Sequence, residues 1–544
     1  MKKIFTLALM LFCAGSMMAN WQPSDTEAIQ LDAEGTTGQV QMKTVRTDDG
    51  KIILSWLRSE RVDNVFSYQL HLQIFDAQGN AMFGDEGIIV CDKRTRTWTT
   101  DYALTLAANG DILLAYTDIR NDPTEENAET YLYRYTQEGE PVWGADGILF
   151  PSGKIHENAL SVEDIAPVLC VSGDNIYAAV NHAEYYMEEA NEDNWTPSPW
   201  NPNMPDSVLM NESKWLIKLI NNDGTLASEN VKELSSNIVV MEPSDDGKAY
   251  LVYDNEALGF EAQMLDASLT NVWNDPVVIE ERAISSGMYV PSPLAEVDEY
   301  GYLMLTYRVL SDFYGYQVAN FVGPNGEHAN EPVALAGNID GDAGSAAMGV
   351  KEDCALVAWE YAYSSSEYRM NVNAVDDNNL YYWVDDNIYG ITLETNDMWG
   401  YKPVKVIPMN DGWVVLYGNC TSWNGANFMV VKLDDDGSVL WSKRICEDNF
   451  KSSGFSVVYD DKNAYIFYTQ EPDYGKASNG GMFVMCVDIV GEMNSINEVN
   501  TGDEVVSTEF YTVDGRRVSR LENGVNIVRT TYKNGVVTTT KVVR

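Results

Sequence analysis

Along this chain, short apolar runs alternate with tight polar turns in a two-part phrase that recurs from end to end. In the first part a turn leads into an apolar run: Asp49-Gly50 into Ile52 to Trp56, Asn109-Gly110 into Ile112 to Tyr116, Asp411-Gly412 into Trp413 to Tyr417. In the second part an aromatic follows the turn glycine at the fourth residue: Gly79 to Phe83, Gly139 to Trp143, Gly437 to Trp441. The runs are rich in β-branched and aromatic residues, and the Asp-Gly and Asn-Gly pairs supply the positive φ of short hairpins. Each phrase therefore predicts strands joined by tight turns. Runs such as Ile52-Ile53-Leu54 and Ile112-Leu113-Leu114 are apolar at successive positions, which predicts strands covered on both faces.

The first part occurs eight times, near Gly50, Gly110, Gly173, Gly247, Gly301, Asp353, Gly412 and Lys462. The second keeps pace, its turn position falling at Gly79, Gly139, Gly224, Leu269, Gly326, Asn379, Gly437 and Gly491. Self-similarity at this period marks stacked supersecondary units. With about four strand candidates per unit, the pattern predicts an all-β, eight-bladed β-propeller over residues 21–491. A seven-bladed ring with one degenerate unit, or a pair of smaller β domains, are the alternatives. The last unit lacks an outer strand, while Trp21 to Leu31 has the pattern of Trp143 to Phe150 and Trp273 to Ile279. Residues 21–35 are thus expected to supply the outer strand that closes the last blade.

Composition narrows the function. The chain has 544 residues and a formal net charge of −46, which excludes the basic face that nucleic acid requires and disfavours an anionic membrane surface. Residues 1–20 read as a secretory signal peptide: Lys2-Lys3, an apolar stretch from Ile4 to Cys13, and small residues Ala14 to Ala19. No other stretch is long and apolar enough for a membrane span, so no integral membrane segment is expected. Six cysteines remain beyond the leader: Cys91, Cys170, Cys354, Cys420, Cys446 and Cys486. Their spacings are wide and each lies in or beside a strand, which admits up to three disulfides or buried free thiols equally.

The end of the chain changes character after a polar linker at 492–506. From Ser507 to Arg544 there are seven Lys or Arg against three Asp or Glu. The elements Asp514-Gly515-Arg516-Arg517-Val518, Gly524-Val525-Asn526-Ile527-Val528 and Lys541-Val542-Val543-Arg544 resemble the type A C-terminal sorting domain of the type IX secretion system of Bacteroidetes. That resemblance implies a small β-sandwich-like domain over 507–544, passage through the type IX export machinery, and a cell-surface or secreted location, with the periplasm as the alternative. The family's opening Pro-Asn-Pro turn is replaced here by Ile496 to Asn500, so the domain is shortened.

Catalytic chemistry is sparse. The four histidines, His71, His156, His182 and His328, have no metal-ligand spacing, and there is no nucleophile elbow or phosphate-cradling loop. The turns at Asn221 to Gly224 and Asp434 to Gly437 have the opening of a calcium loop but no glutamate at the required distance. The turn-plus-tryptophan phrase loosely resembles the Asp-box of sialidases, which implies a search for convergent arginines. Arg58, Arg120, Arg308 and Arg369 stand at comparable places after apolar runs. We expect no catalytic residue, no cofactor and no metal.

Loop length points elsewhere. With strands lettered a to d outward, the a–b and c–d turns are tight, whereas the b–c and d–a connections on the opposite face are long. They carry Tyr185, Tyr186, Trp195, Trp200, Phe313, Tyr314, Tyr361, Tyr363, Trp423 and Tyr474. Aromatic rings on loops of a rigid scaffold stack on sugars or anchor a protein partner. The expectation is therefore an exported, non-catalytic protein binding a glycan or protein ligand through this face. A propeller glycoside hydrolase or lyase, and a structural cell-envelope protein, are the rivals.

Overall fold

A computed structural model of the chain describes residues 21, 23–24, 28–31, 39–62, 65–84, 86–93, 95, 102–121, 127–195, 204–255, 259–281, 293–310, 315–328, 332–335, 342–364, 367–376, 390–396, 400–422, 425–450, 455–470, 481–491, 505–512, 516–518, 520, 525–532 and 537–543. The chain divides into two compact units, Met1–Val490 and Gly491–Arg544.

Among the described residues, the first unit holds eight four-stranded antiparallel sheets. The only helical element among its described residues is a 3-10 turn at Asp245–Gly247. The inner strands are, in order, Gln39–Arg46, Ala103–Leu106, Ser161–Ser172, Ile238–Pro243, Leu294–Val297, Asp342–Lys351, Tyr401–Met409 and Phe455–Tyr459. Seven sheets run outward in chain order. The eighth takes its outer strand from the start of the chain, where Ile29 pairs with Val484 and Gln30 with Phe483.

The core is divided the same way. Eight apolar clusters lie between successive sheets, and the one holding Trp21, Met42, Trp56, Val458 and Phe467 joins the eighth sheet to the first. Thr44 and Ser456, on the first and eighth inner strands, meet hydroxyl to hydroxyl at 2.6 Å. Sheets stacked face to face around a closed circle define a β-propeller, which leaves no sheet face exposed along the ring. Strands covered on both sides follow: Ile112–Asp118 is buried at every position.

The recurring aromatic is a latch between neighbours. Phe83, Trp143 and Trp273 each lie over a turn glycine of the following sheet, Gly139, Gly224 and Gly326 respectively. Trp143 Nε1 donates to the Asn222 carbonyl at 3.0 Å, and Trp273 Nε1 to the Pro324 carbonyl at 3.1 Å. The third sheet has Ser228 where the aromatic would stand, and the turn it faces carries Leu269 in place of glycine. Leu269 keeps the turn's positive φ of 63° and is buried in the apolar cluster between the third and fourth sheets. Tyrosines add a second set of links: Tyr177 and Tyr250 donate to the Gly247 and Gly301 carbonyls of the next a–b turns at 2.8 and 2.6 Å.

In the second unit, Val505–Thr512, Arg517–Val518, Val525–Tyr532 and Val537–Val543 form one four-stranded antiparallel sheet. Its described part is this single layer.

Candidate functional site

The longest hairpin of the first unit is the b–c pair of the third sheet. Its strands, Asn175–Glu189 and Ser207–Ile220, have 15 and 14 residues, against 7 and 7 for Ile112–Asp118 and Glu129–Tyr135 in the sheet before it. Pairing continues without a break from Ile176 opposite Ile220 to Glu189 opposite Ser207. At about 3.3 Å per residue, the surplus projects well beyond the neighbouring strand ends.

A buried polar clamp holds the base of that projection. His182 Nδ1 meets Asp164 Oδ1 at 2.6 Å, and His182 Nε2 meets Glu184 Oε1 at 3.3 Å. Glu184 in turn accepts the backbone N–H groups of Ile155 and His156, both at 2.6 Å, which ties down the connection that enters the third sheet. His156 then stacks on Tyr186 at 3.9 Å and meets Glu212 Oε2 at 2.8 Å. The Asp164 carbonyl accepts the Thr117 and Thr130 hydroxyls, linking the clamp to the second sheet. Burial works against charge on His182, but the carboxylates of Asp164 and Glu184 outweigh it and hold the imidazole above its ordinary value. Burial likewise opposes ionisation of Glu184, and its two backbone donors and His182 outweigh that, so its carboxyl sits below the usual range. Beside the clamp lies a cleft of about 520 Å³ lined by Asn127, Glu129, Pro151, Lys154, Leu160 and Asp164.

The structure places the expected aromatics unequally. Tyr185 and Tyr186 lie half-buried on the projecting hairpin, and Trp195, also half-buried, begins its tip with its N–H on the Asn191 carbonyl at 3.1 Å. Trp200, Phe313, Tyr314, Trp423, Tyr474 and the side chain of Tyr363 lie outside the described residues. Tyr361 is a correction: it is 1% exposed and packs with Trp359, Met304 and Phe321 between the fifth and sixth sheets. It follows Trp359 at the strand period of two, so both side chains point into the same interface.

The arginines do not pool. Arg58 pairs with Glu86 and Arg369 with Glu367, each within its own sheet. Arg308 lies against Gly315 of its own hairpin. Arg120 pairs with Asp118 at 2.6 Å, donates to Tyr133, and lies 3.6 Å over the Tyr131 ring. Cys91 donates to the same Asp118 carboxylate at 3.3 Å. Burial first and Asp118 second push its thiol up to about 12, so this cluster offers no thiolate at neutral pH.

Sequence reasoning missed a set of charges facing the centre of the ring. Lys405, on the seventh inner strand, reaches past the sixth to Glu296 on the fifth, with Nζ to Oε1 at 2.9 Å. A register shift between Pro403 and Lys405 marks a bulge, a device that re-aims a side chain. The intervening inner strand is built of small residues, Gly344, Ser345, Ala346 and Ala347, which leave the span open. Glu242, on the fourth inner strand, is pushed up to about 8 by burial and by the Glu296 carboxylate, with Lys405 pulling the other way. A lone charge inside an otherwise apolar inner run, as in Val404-Lys405-Val406, was the available signal.

Among the described residues no group of three His, Cys, Asp or Glu side chains is placed to hold a metal ion. In the turn once compared with a calcium loop, Asp434 Oδ1 accepts the N–H groups of Asp436 and Ser438 at 3.0 and 2.7 Å. That carboxylate serves its own hairpin.

No protein-family model matches the chain, and no curated protein matches it in sequence. Solved structures similar to it include puromycin hydrolase, 13% identical with a TM-score of 0.37 over 83% of this chain and 62% of that one. The β-propeller domain of the trilobed protease from Pyrococcus furiosus is 10% identical with a TM-score of 0.35, over 85% of this chain and 100% of that domain. A Trypanosoma rangeli sialidase is 9% identical with a TM-score of 0.33, over 93% and 69%. The chain thus spans under two thirds of the puromycin hydrolase. At these scores the likenesses carry nothing about activity, and the fold rests on the sheets and their closure.

Proposed function

We propose that this chain is an eight-bladed recognition propeller that binds a glycan or protein ligand through the face bearing the projecting hairpin of the third sheet. The observation that carries this reading is the hairpin itself. It is longer than its neighbours, presents Tyr185, Tyr186 and Trp195, and is braced at its base by the Asp164–His182–Glu184 clamp. A brace of buried, hydrogen-bonded charges fixes where the tip stands, and a preorganised tip loses less entropy on binding. The resemblance of residues 507–544 to a type IX sorting domain supports export to the cell surface or medium, and a ligand met outside the cell. The test is binding of the chain to glycan and protein arrays, run beside turnover assays on the same sugars. Saturable binding without turnover, lost in the Trp195→Ala, Trp200→Ala double variant, is the expected result; turnover overturns it.

One observation favours the second reading, a propeller hydrolase or lyase. Glu242 is a carboxyl pushed up to about 8 beside the Glu296 side chain and a lysine, the kind of environment that produces a general acid. Loss of turnover in Glu242→Gln would mark that site as the centre of activity.

A further inference from the structure

The projecting hairpin also carries an uncovered strand edge. In the third sheet the outer strand Lys232–Leu234 pairs only with Trp215, Leu216 and Ile217, so among the described residues Ser207 to Ser213 pair on one side alone. The corresponding edges of the fifth to eighth sheets are covered. In the seventh, pairing reaches Ala426 opposite Phe450, and in the sixth, Tyr368 opposite Asn396. In the fifth and eighth, Leu335 and Leu31 donate backbone N–H groups to Gln317 and Met482 at 2.8 and 2.9 Å.

Natural edge strands are blunted by proline, by lysine or by shortness, because an open row of N–H and C=O groups invites another strand. This edge reads Ser207-Val-Leu-Met-Asn-Glu-Ser213, with no proline and no basic residue. Leu209 and its cross-strand partner Met187 are 61% and 40% exposed on one face of the hairpin, an apolar pair with nothing described to cover it. No Lys or Arg occurs from Ile155 to Ser213, whereas Glu188, Glu189, Glu192, Asp193 and Asp206 are exposed around the tip. A second copy would bring the same carboxylates to this edge and be repelled, so the charge selects a basic partner.

We infer that the Ser207–Ser213 edge takes an extended, basic segment of a partner protein as an added fifth strand, with apolar side chains on Leu209 and Met187 and cations among the tip carboxylates. This rests on the reading of the long-loop face as a binding surface and gives it a partner class.

The probe is an end-blocked octapeptide of alternating valine and lysine, titrated into the full chain at physiological salt by calorimetry. It is run beside two versions N-methylated on alternate residues, one in each register, which keep the charge and remove edge donors. One-to-one binding, weakened at least tenfold by one N-methylated version and by Leu209→Lys, is the expected result. Equal affinity for all three peptides means charge attraction alone and overturns the inference. No binding of the parent peptide also overturns it, whether or not the chain binds an array ligand through Trp195, which tests the broader reading separately. Should Leu209→Lys fail to fold, the peptide comparison decides by itself.

Discussion

Trp143 covers Gly224: the indole ring of the second sheet lies where a Cβ on that glycine would stand 3.1 Å away, and its Nε1 donates to the Asn222 carbonyl two residues earlier. The repeated glycine and the repeated aromatic are thus one contact seen from two sheets. Where the ring is missing, at Ser228, the next turn has Leu269 instead of glycine.

The latch gives three stability outcomes. Trp143→Ala should cost about 3–5 kcal/mol, as for other buried large-to-small aromatic changes. Gly224→Ala should destabilise by more than about 1 kcal/mol, because φ is +87° and the new methyl meets the ring. Leu269→Gly should also destabilise, since the cavity left by a buried leucine, about 2–5 kcal/mol, exceeds the relief of its positive φ, about 1 kcal/mol. Urea midpoints of the three variants test these; a Leu269→Gly chain as stable as the parent would remove the reciprocal account.

The His182 clamp should make stability depend on pH in a defined window. A raised histidine value contributes stability that is full below its unfolded value of 6.5 and is lost as pH rises through the higher folded value. The lowered Glu184 value contributes above 4.5 and is lost as pH falls through its folded value. The deficit of His182→Gln should therefore be largest between 4.5 and 6.5 and narrow on the alkaline side. Denaturation midpoints of both proteins across that range measure it, and a deficit independent of pH would count against a charged His182.

Glu242 predicts a slope of the same sign as that from His182, beginning at a lower pH. Its carboxyl ionises at 4.5 when unfolded but holds its proton to about 8 when folded, so the folded state binds more protons in between and loses stability as pH rises. Glu242→Gln should match the parent near the lower value and be the more stable protein above the upper one. Glu296→Gln should lower the Glu242 value, because it removes the neighbouring carboxylate. Parallel pH–stability curves for the parent and Glu242→Gln would sink this account.

The five described cysteines, Cys91, Cys170, Cys354, Cys420 and Cys486, are buried free thiols. Burial pushes Cys91, Cys354 and Cys486 up to about 12, which leaves almost no thiolate at pH 8. Iodoacetamide should leave these three unmodified in the folded chain and alkylate them on denaturation without reductant. Fast labelling of any of them in the native protein contradicts their placement.

Much of the fold was legible because its determinants are local or periodic. A positive-φ turn at Gly79, Gly139 or Gly437, an apolar run beside it and an aromatic at the fourth residue lie within one stretch of chain, and their recurrence shows as a pattern. The site was legible only where it too was local: the long connection that carries Tyr185, Tyr186 and Trp195 shows in one stretch of chain, whereas the length of the strands that extend it does not. Tyr361 was misjudged because, at a strand end, burial depends on the sheet packed against it, here the fifth with Met304 and Phe321.

By itself, then, the sequence determined the strand-and-turn repeat, the acidic character of the body and the presence of long, aromatic-bearing connections, since each is a property of neighbouring residues. Only the tertiary structure decided that Lys405 meets Glu296 across an intervening strand, that Asp164, His182 and Glu184 form a buried clamp, and that Ser207 to Ser213 have no outer neighbour among the described residues. Closure of the ring brings Lys405 to Glu296, whose separation along the chain carries no information about their distance in space, whereas the register and length of the strands in the third sheet decide the clamp and the edge.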